Sequence, residues 1–244
     1  MMKLIRTIHT AYGFIVFSIL FLIFFFLFLF PIAFPSQFKW VGIFNRWWAR
    51  VLFPLCLLPY KVECRASLSR KSQYIFCPNH FSYLDIPVMG LNPVNTVFVG
   101  KNDMEHIPLF GFMYRKLHIT VNRSSLKSRM NTIIRSMQAI DEGKSLVIFP
   151  EGGVLTENPP QMIQFKDGAF RISIEKQIPI VPVTIPFNWI ILSDRTPLRL
   201  HAGRVYVIFH APVSPAGYTL DTIEEYKKEV YMVIDTELKR YATR

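Results

Sequence analysis

The sequence has few cysteines and no motif that pairs them. Its three, Cys56, Cys64 and Cys77, are an odd number without a CxxC spacing, which argues against a disulfide framework or a cysteine-based zinc site. They read as small apolar groups in a reduced compartment. Acidic residues are also scarce: 17 Asp and Glu stand against 28 Lys and Arg, for a net charge of +11. That excess calls for an anionic partner, and nucleic acid, anionic lipid headgroups or an acidic carrier protein all carry the right sign. Nucleic acid fits worst, because the aromatics gather near the N-terminus instead of alternating with basic residues as base stacking requires. No internal repeat is present, and no low-complexity tract outside the N-terminal apolar run. With 51% apolar and 15% aromatic residues, the composition is not that of a disordered chain. At 244 residues it can hold one α/β domain with a sizeable core plus a membrane element.

Charge is wholly missing from Ala11 to Phe34. As a helix this run is about 36 Å long, enough to cross a hydrocarbon core of about 30 Å. Lys3 and Arg6 precede it as in a signal peptide, but the run is too long for one and no small-x-small cleavage site follows. The expectation is a retained membrane helix. Residues 38–60 differ: Trp40, Trp47 and Trp48 mix with Lys39, Arg46 and Arg50, the pattern of an interfacial or re-entrant helix. Pro31, Pro35 and Pro54 argue against one straight continuous helix. Positive residues flank the anchor on both sides, so charge bias leaves the topology open. The expected division is an anchor with interfacial helix over 1–62 and an α/β domain over 63–244.

Beyond residue 65, short apolar runs predict strands at 74–77, 96–99, 119–121, 145–149, 180–185 and 204–210. Helical patterns separate them. Over 126–142, Leu126, Met130, Ile133, Ile134, Met137 and Ile140 form one stripe, stopped by Gly143. Over 222–241, Ile223, Tyr226, Val230, Val233, Ile234 and Leu238 form another. The alternation predicts a mixed α/β sheet flanked by helices, with catalytic loops at strand ends.

The unusual polar clusters fall at those ends. Asn79-His80-Phe81-Ser82-Tyr83-Leu84-Asp85 follows the strand YIFCP. A carboxylate five residues after an imidazole can hold one ring nitrogen and leave the other to take a proton from a hydroxyl. The same residues admit a structural reading, since Ser82-x-x-Asp85 is also a capping-box pattern. Phe149-Pro150-Glu151-Gly152-Gly153 ends another apolar strand. Backbone donors in such a turn can hold an oxyanion or a substrate hydroxyl, and an ordinary strand-to-loop turn has the same composition. Pro182, inside an apolar strand, predicts an edge, a bulge or a bend. Lys101 and Arg123 are cations at predicted strand ends, able to bind a phosphate or simply to face solvent.

Taken in order, NHFSYLD, VNR, FPEGG and VPVTI resemble the four blocks of the bacterial 1-acylglycerol-3-phosphate acyltransferases, within the wider glycerolipid acyltransferase superfamily. The resemblance covers roughly residues 65–215. It implies a glycerolipid acyltransferase-like fold at a membrane, on the cytoplasmic face of a bacterial inner membrane. It implies transfer of an acyl group from acyl-carrier protein or acyl-CoA to the sn-2 hydroxyl of lysophosphatidic acid, giving phosphatidic acid, with no cofactor, no metal and no covalent enzyme intermediate. His80 is then the base and Asp85 its orienting partner. Arg123 binds the acceptor phosphate with Lys101 as a second ligand; Asn79, Glu151 and Gly152 lie on the acceptor side; Pro182 shapes the donor side. One departure stands out. Many members follow FPEG with Thr-Arg-Ser, whereas here Gly153-Val154-Leu155-Thr156-Glu157 follows. Lys166 is a candidate for the missing charge, and a sister enzyme acting on another lysolipid or an aminolipid is the alternative. A non-catalytic protein that binds membranes or anionic ligands is the third reading.

Overall fold

The computed structural model describes residues 2–122, 124–194 and 197–242. Two helices open the chain: α1 (Met2–Ala33) and α2 (Lys39–Leu55). They form a hairpin through a 3-10 turn at Pro35–Gln37, so the proline just past α1 marks the reversal. Pro31 and Pro54 are accommodated inside α1 and α2, each near the C-terminal end of its helix.

The rest of the chain builds a seven-stranded sheet: β1 (Tyr60–Cys64), β2 (Ile75–Pro78), β3 (Thr96–Lys101), β4 (Ile119–Val121), β5 (Ser145–Ile148), β6 (Ile180–Thr184) and β7 (Val205–Phe209). Their order across the sheet is β1-β7-β6-β2-β5-β3-β4. From β6 to β4 all five strands run parallel, and β7 pairs antiparallel with β6. The sheet is therefore mixed, as the alternating pattern predicts. Its central strands read as unbroken apolar runs because helices cover both faces; every residue of β2, β6 and β7 is buried.

The remaining helices are α3 (Asp85–Val88), α4 (Phe110–Leu117), α5 (Leu126–Asp141), α6 (Gly168–Lys176), α7 (Asn188–Ile191) and α8 (Ile223–Ala242). One core packs α2 and the 84–91 segment against one sheet face, with Phe53, Phe76, Val88, Val181 and Phe209 at its centre. The other packs α5, α6 and α8 beneath the opposite face, around Ile75, Phe170, Ile180 and Tyr226. In α8 the buried stripe is Tyr226, Val230, Ile234 and Leu238, the predicted inward face. A third cluster joins Phe24, Phe25 and Phe28 of α1 to Phe44 of α2 and to Met113 and Leu117 of α4.

Several expectations are corrected. The boundary after residue 62 falls inside β1, which pairs along its whole length with β7. The hairpin is not a separate unit: Thr10 Oγ1 accepts from the Leu200 N–H at 2.8 Å, and Asn95 Nδ2 donates to the Phe38 carbonyl at 2.9 Å. In α5 the buried face is Thr132, Ser136, Ala139 and Ile140, with Ile133 and Met137 of the predicted stripe partly buried against the same core, while Leu126, Met130 and Ile134 face outward. Small residues let α5 approach the sheet closely, so the larger side chains roll away from it. Cys56 and Cys77 are buried as expected, but Cys64 is exposed on the edge strand. Pro182 is not on an edge, since β6 lies between β7 and β2. Ile180 pairs with Val213 and Val183 with Phe209, so the strand opposite carries one extra residue. Pro182 sits at this bulge, where a missing N–H breaks no regular ladder.

The apolar run is one continuous helix, long and apolar enough over Leu4–Ala33 to cross a membrane by length and composition. Its outward face carries Ile8, Ile15, Ile23 and Phe26, each more than half exposed. Monomeric soluble surfaces rarely tolerate a contiguous apolar patch of that size.

Candidate active site

All five parallel strands end at the same edge of the sheet. There β2 delivers Asn79 and His80, β5 delivers Glu151, and β6 delivers Ile185. Adjacent strands are about 4.8 Å apart, so these three ends converge.

His80 Nδ1 lies 3.1 Å from Asp85 Oδ2. An ionised carboxylate only accepts, so Nδ1 carries the proton and Nε2 is the nitrogen left to accept one. The same Oδ2 accepts from the backbone N–H groups of Phe81 and Ser82, each at 2.8 Å. The other oxygen accepts from Asn188 Nδ2 at 3.0 Å. Ser82 Oγ in turn accepts from the Leu84 N–H at 3.0 Å and donates to the Leu192 carbonyl at 2.6 Å. One carboxylate fixes the turn into α3 and orients the imidazole. Phe149 stacks on the His80 ring with centroids 4.0 Å apart, which fixes the ring plane. His80 keeps 8% of its surface exposed while Asp85 keeps none, so the imidazole reaches the outside and the carboxylate that holds it does not.

Glu151 is wholly buried. It accepts from the His80 N–H at 2.7 Å and from the Ile163 N–H at 3.2 Å, so it clamps the His80 loop from behind. Burial pushes its carboxyl up to about 7, with nearby Asp85 adding to the shift and the two backbone N–H groups opposing it. Between pH 4.5 and 7 the unfolded chain loses this proton while the folded chain keeps it, so stability falls as pH rises through that window. Replacing Glu151 with Gln removes the titration. The stability of the wild type relative to Glu151→Gln is expected to fall by up to about 1.4 kcal/mol per pH unit across the window. Denaturation of both proteins at pH 5 and pH 7.5 in one detergent measures it, and a constant difference would contradict the assignment.

The other expected site residues divide. Asn79 is fully buried and its amide is engaged at both ends by the Ile185 backbone, accepting at 2.8 Å and donating at 3.0 Å. It ties β2 to β6 and positions the His80 loop instead of meeting a ligand. The Gly152 N–H donates to the Phe149 carbonyl at 3.0 Å, so it closes the turn and is not an oxyanion donor. Gly152 has φ +82°, and a Cβ there would come within 2.5 Å of Lys166 Nζ. The Lys166 side chain therefore lies against this turn, held by a 2.9 Å bond from its own N–H to the Pro150 carbonyl. Lys101 ends β3, two strands from β2, with its side chain exposed and paired to Asp103. Pro182 is buried within β6. Arg123 lies outside the described residues. Sequence reasoning missed Asn188, whose only mark is an amide soon after an apolar strand, and gave Phe149 no role beyond ending its strand.

The profile of the Acyltransferase family matches residues 60–186. The chain is 33% identical over 193 residues to a 1-acyl-sn-glycerol-3-phosphate acyltransferase of Haemophilus influenzae, covering 76% of each. It is 30% identical over 207 residues to the protein of that name from Escherichia coli, covering 82% of this chain and 80% of that one. A similarly named protein of Limnanthes alba is 28% identical over 70% of this chain, which spans 60% of that relative's length. The crystal structure of the 1-acyl-sn-glycerophosphate (LPA) acyltransferase PlsC from Thermotoga maritima superposes with a TM-score of 0.84 at 21% identity, over 100% of this chain and 99% of that one.

Proposed function

The chain belongs to the acyltransferase family, and from that membership and the His80 geometry we propose that it transfers an acyl group from a thioester to the sn-2 hydroxyl of lysophosphatidic acid at a membrane surface. The observation that carries the reading is the His80 ring, held through Nδ1 by a buried carboxylate with Nε2 left over. An alcohol is a weak nucleophile at neutral pH, and a positioned base of this kind contributes on the order of 10²–10⁴ in rate. In the proposed step Nε2 takes the hydroxyl proton as the oxygen attacks the thioester carbonyl. The tetrahedral adduct collapses, the C–S bond breaks, and the thiolate leaves with the proton returned by His80. Asp85 steadies the imidazolium formed in between. The donor is acyl-carrier protein or acyl-CoA, both anionic and suited to the cationic chain. Lys166 at the Gly152 turn and Lys101 on the same sheet edge supply positive charge for the acceptor phosphate. With α1 in the bilayer, the acceptor is a lipid that never leaves the membrane.

The alternative acceptor, another lysolipid or an aminolipid, is favoured by the absence of an arginine directly after Phe-Pro-Glu-Gly. Membranes carrying the protein, given labelled lysophosphatidic acid and an acyl thioester, are expected to form phosphatidic acid. A panel of other lysolipids is run beside it. Faster acylation of a panel member would reassign the acceptor, and no turnover with any acceptor would overturn the enzyme reading.

A further inference from the structure

We propose that Arg46, Arg50 and Arg70 form a binding site for the phosphate group of an anionic membrane phospholipid, separate from the site at His80. Arg46 and Arg50 stand one turn apart on α2, and Arg70 comes from the β1–β2 loop. With Tyr60, Val62 and Leu91 they line a cleft of about 420 Å³. Arg70 precedes β2 and Leu91 precedes β3, whereas His80 follows β2. Tyr60 and Val62 lie at the His80 end of the sheet, level with Val205 and Val207, but on the outer strand β1, three strands from β2. At about 4.8 Å per strand the cleft is set aside from His80 by about 14 Å along this edge.

Three guanidinium groups share this cleft, yet among the described residues none is paired with a carboxylate. Among the described residues, the one protein acceptor bonded to the triad is the Asn92 carbonyl, 3.3 Å from Arg46. Burial holds the Arg46 guanidinium below its usual value, and the like charges of Arg70 and Arg50 push the same way. A cluster of this sign in a partly desolvated cleft is completed by an anion with several acceptor oxygens, which phosphate provides.

The source of the phosphate follows from the helix that carries the arginines. Trp47, Val51 and Leu55 recur every fourth residue on α2 and are 51%, 41% and 45% exposed. This apolar stripe lies directly beside the Arg46–Arg50 stripe, on a helix that pairs with α1. An apolar stripe flanked by a cationic one is the pattern of a helix lying at the lipid–water boundary. There the acyl chains of a phospholipid meet Trp47, Val51 and Leu55 while its phosphate meets the arginines. An anionic lipid is favoured over a zwitterionic one because the cleft offers no carboxylate for a choline or ethanolamine.

The test titrates the full chain, in a neutral detergent, with dihexanoylphosphatidylglycerol, dihexanoylphosphatidylcholine or glycerol phosphate, reading the tryptophan emission of α2. A saturable change is expected with the phosphatidylglycerol alone. Arg46→Gln/Arg50→Gln/Arg70→Gln is expected to weaken it at least tenfold. Arg50→Gln/Arg70→Gln keeps the Arg46–Asn92 bond and should weaken it in the same direction, which guards against misfolding of the triple variant. Lys127→Gln/Arg129→Gln/Arg135→Gln removes equal charge from the outward face of α5 and should leave binding unchanged. An equal loss in that control would mean a general field and no site. Equal binding of phosphatidylcholine would remove the anionic preference, and equal binding of glycerol phosphate would remove the lipid; either result overturns the proposal. None of these readouts involves acyl transfer, so the outcome is independent of the reaction proposed at His80.

Discussion

Replacing His80 with alanine is expected to lower acyl transfer by about 10²–10⁴ while leaving the fold in place. The magnitude follows from the local chemistry. Asp85 is buried and already accepts four hydrogen bonds, and Glu151 accepts two backbone N–H groups from behind. Neither faces a hydroxyl arriving from outside. Stability should change little, because Asp85 Oδ2 keeps its backbone partners at Phe81 and Ser82 after the ring is gone. The main structural loss is the stack on Phe149, and aromatic pairs of this kind contribute about 0.5–1.5 kcal/mol. The measurement is the initial rate of thiol release beside a thermal melt of the same preparation. A rate within a few-fold of wild type would place the base elsewhere.

Asp85 predicts the opposite balance. Asp85→Ala is expected to destabilise the protein by roughly 3–5 kcal/mol, because it strands two backbone N–H groups, the Asn188 amide and the His80 ring. Each buried donor left alone costs about 1–3 kcal/mol, and the terms are not additive where donors share a site. Asp85→Asn preserves the volume, yet its amide nitrogen must face either Asn188 or the three donors on the other side. It should therefore recover part of the stability and almost none of the activity, since the His80 tautomer is no longer dictated. Denaturation and rate measurements on both variants separate the two effects. An Asp85→Ala protein as stable as wild type would show that the turn into α3 does not depend on this carboxylate.

Much of this architecture is legible in the sequence, for identifiable reasons. Six of the seven strands announce themselves as short apolar runs, wholly buried in β2, β6 and β7. β1 does not: Tyr60-Lys61-Val62-Glu63-Cys64 is an edge strand with charges facing water, and it directly follows the apolar end of α2. α4 hides because Phe-Gly-Phe-Met-Tyr-Arg-Lys-Leu is eight residues long and carries its aromatics for the hairpin, not for the sheet. The α5 stripe is half right: Ile133, Met137 and Ile140 pack on the core while Leu126, Met130 and Ile134 do not, and hydrophobicity alone cannot foresee that Thr132, Ser136 and Ala139 share the buried face. At the site, the His80–Asp85 pair is local and therefore readable from spacing. Asn188 reaches Asp85 across 103 residues, and Asn79 reaches Ile185 across 106. Such contacts depend on strand order, which no short window of sequence contains.

α1 is tied down along its length, by Thr10 to Leu200 near its start and by Phe21 and Phe25 to Phe110 and Phe112 of α4 further on. α4 connects β3 to β4, so the apolar helix is packed against a segment that leads into the strand ends on the His80 side of the sheet. With α1 in a bilayer, as proposed, an enzyme built this way would work close to a two-dimensional reservoir. For the proposed lipid acceptor, the governing quantity would be the mole fraction in the plane of the bilayer, so diluting the surface with inert lipid is expected to slow encounter even when every bulk concentration is unchanged. The proposed thioester donor would arrive from the third dimension and obey ordinary molarity, so the two substrates of that reaction would be counted in different units.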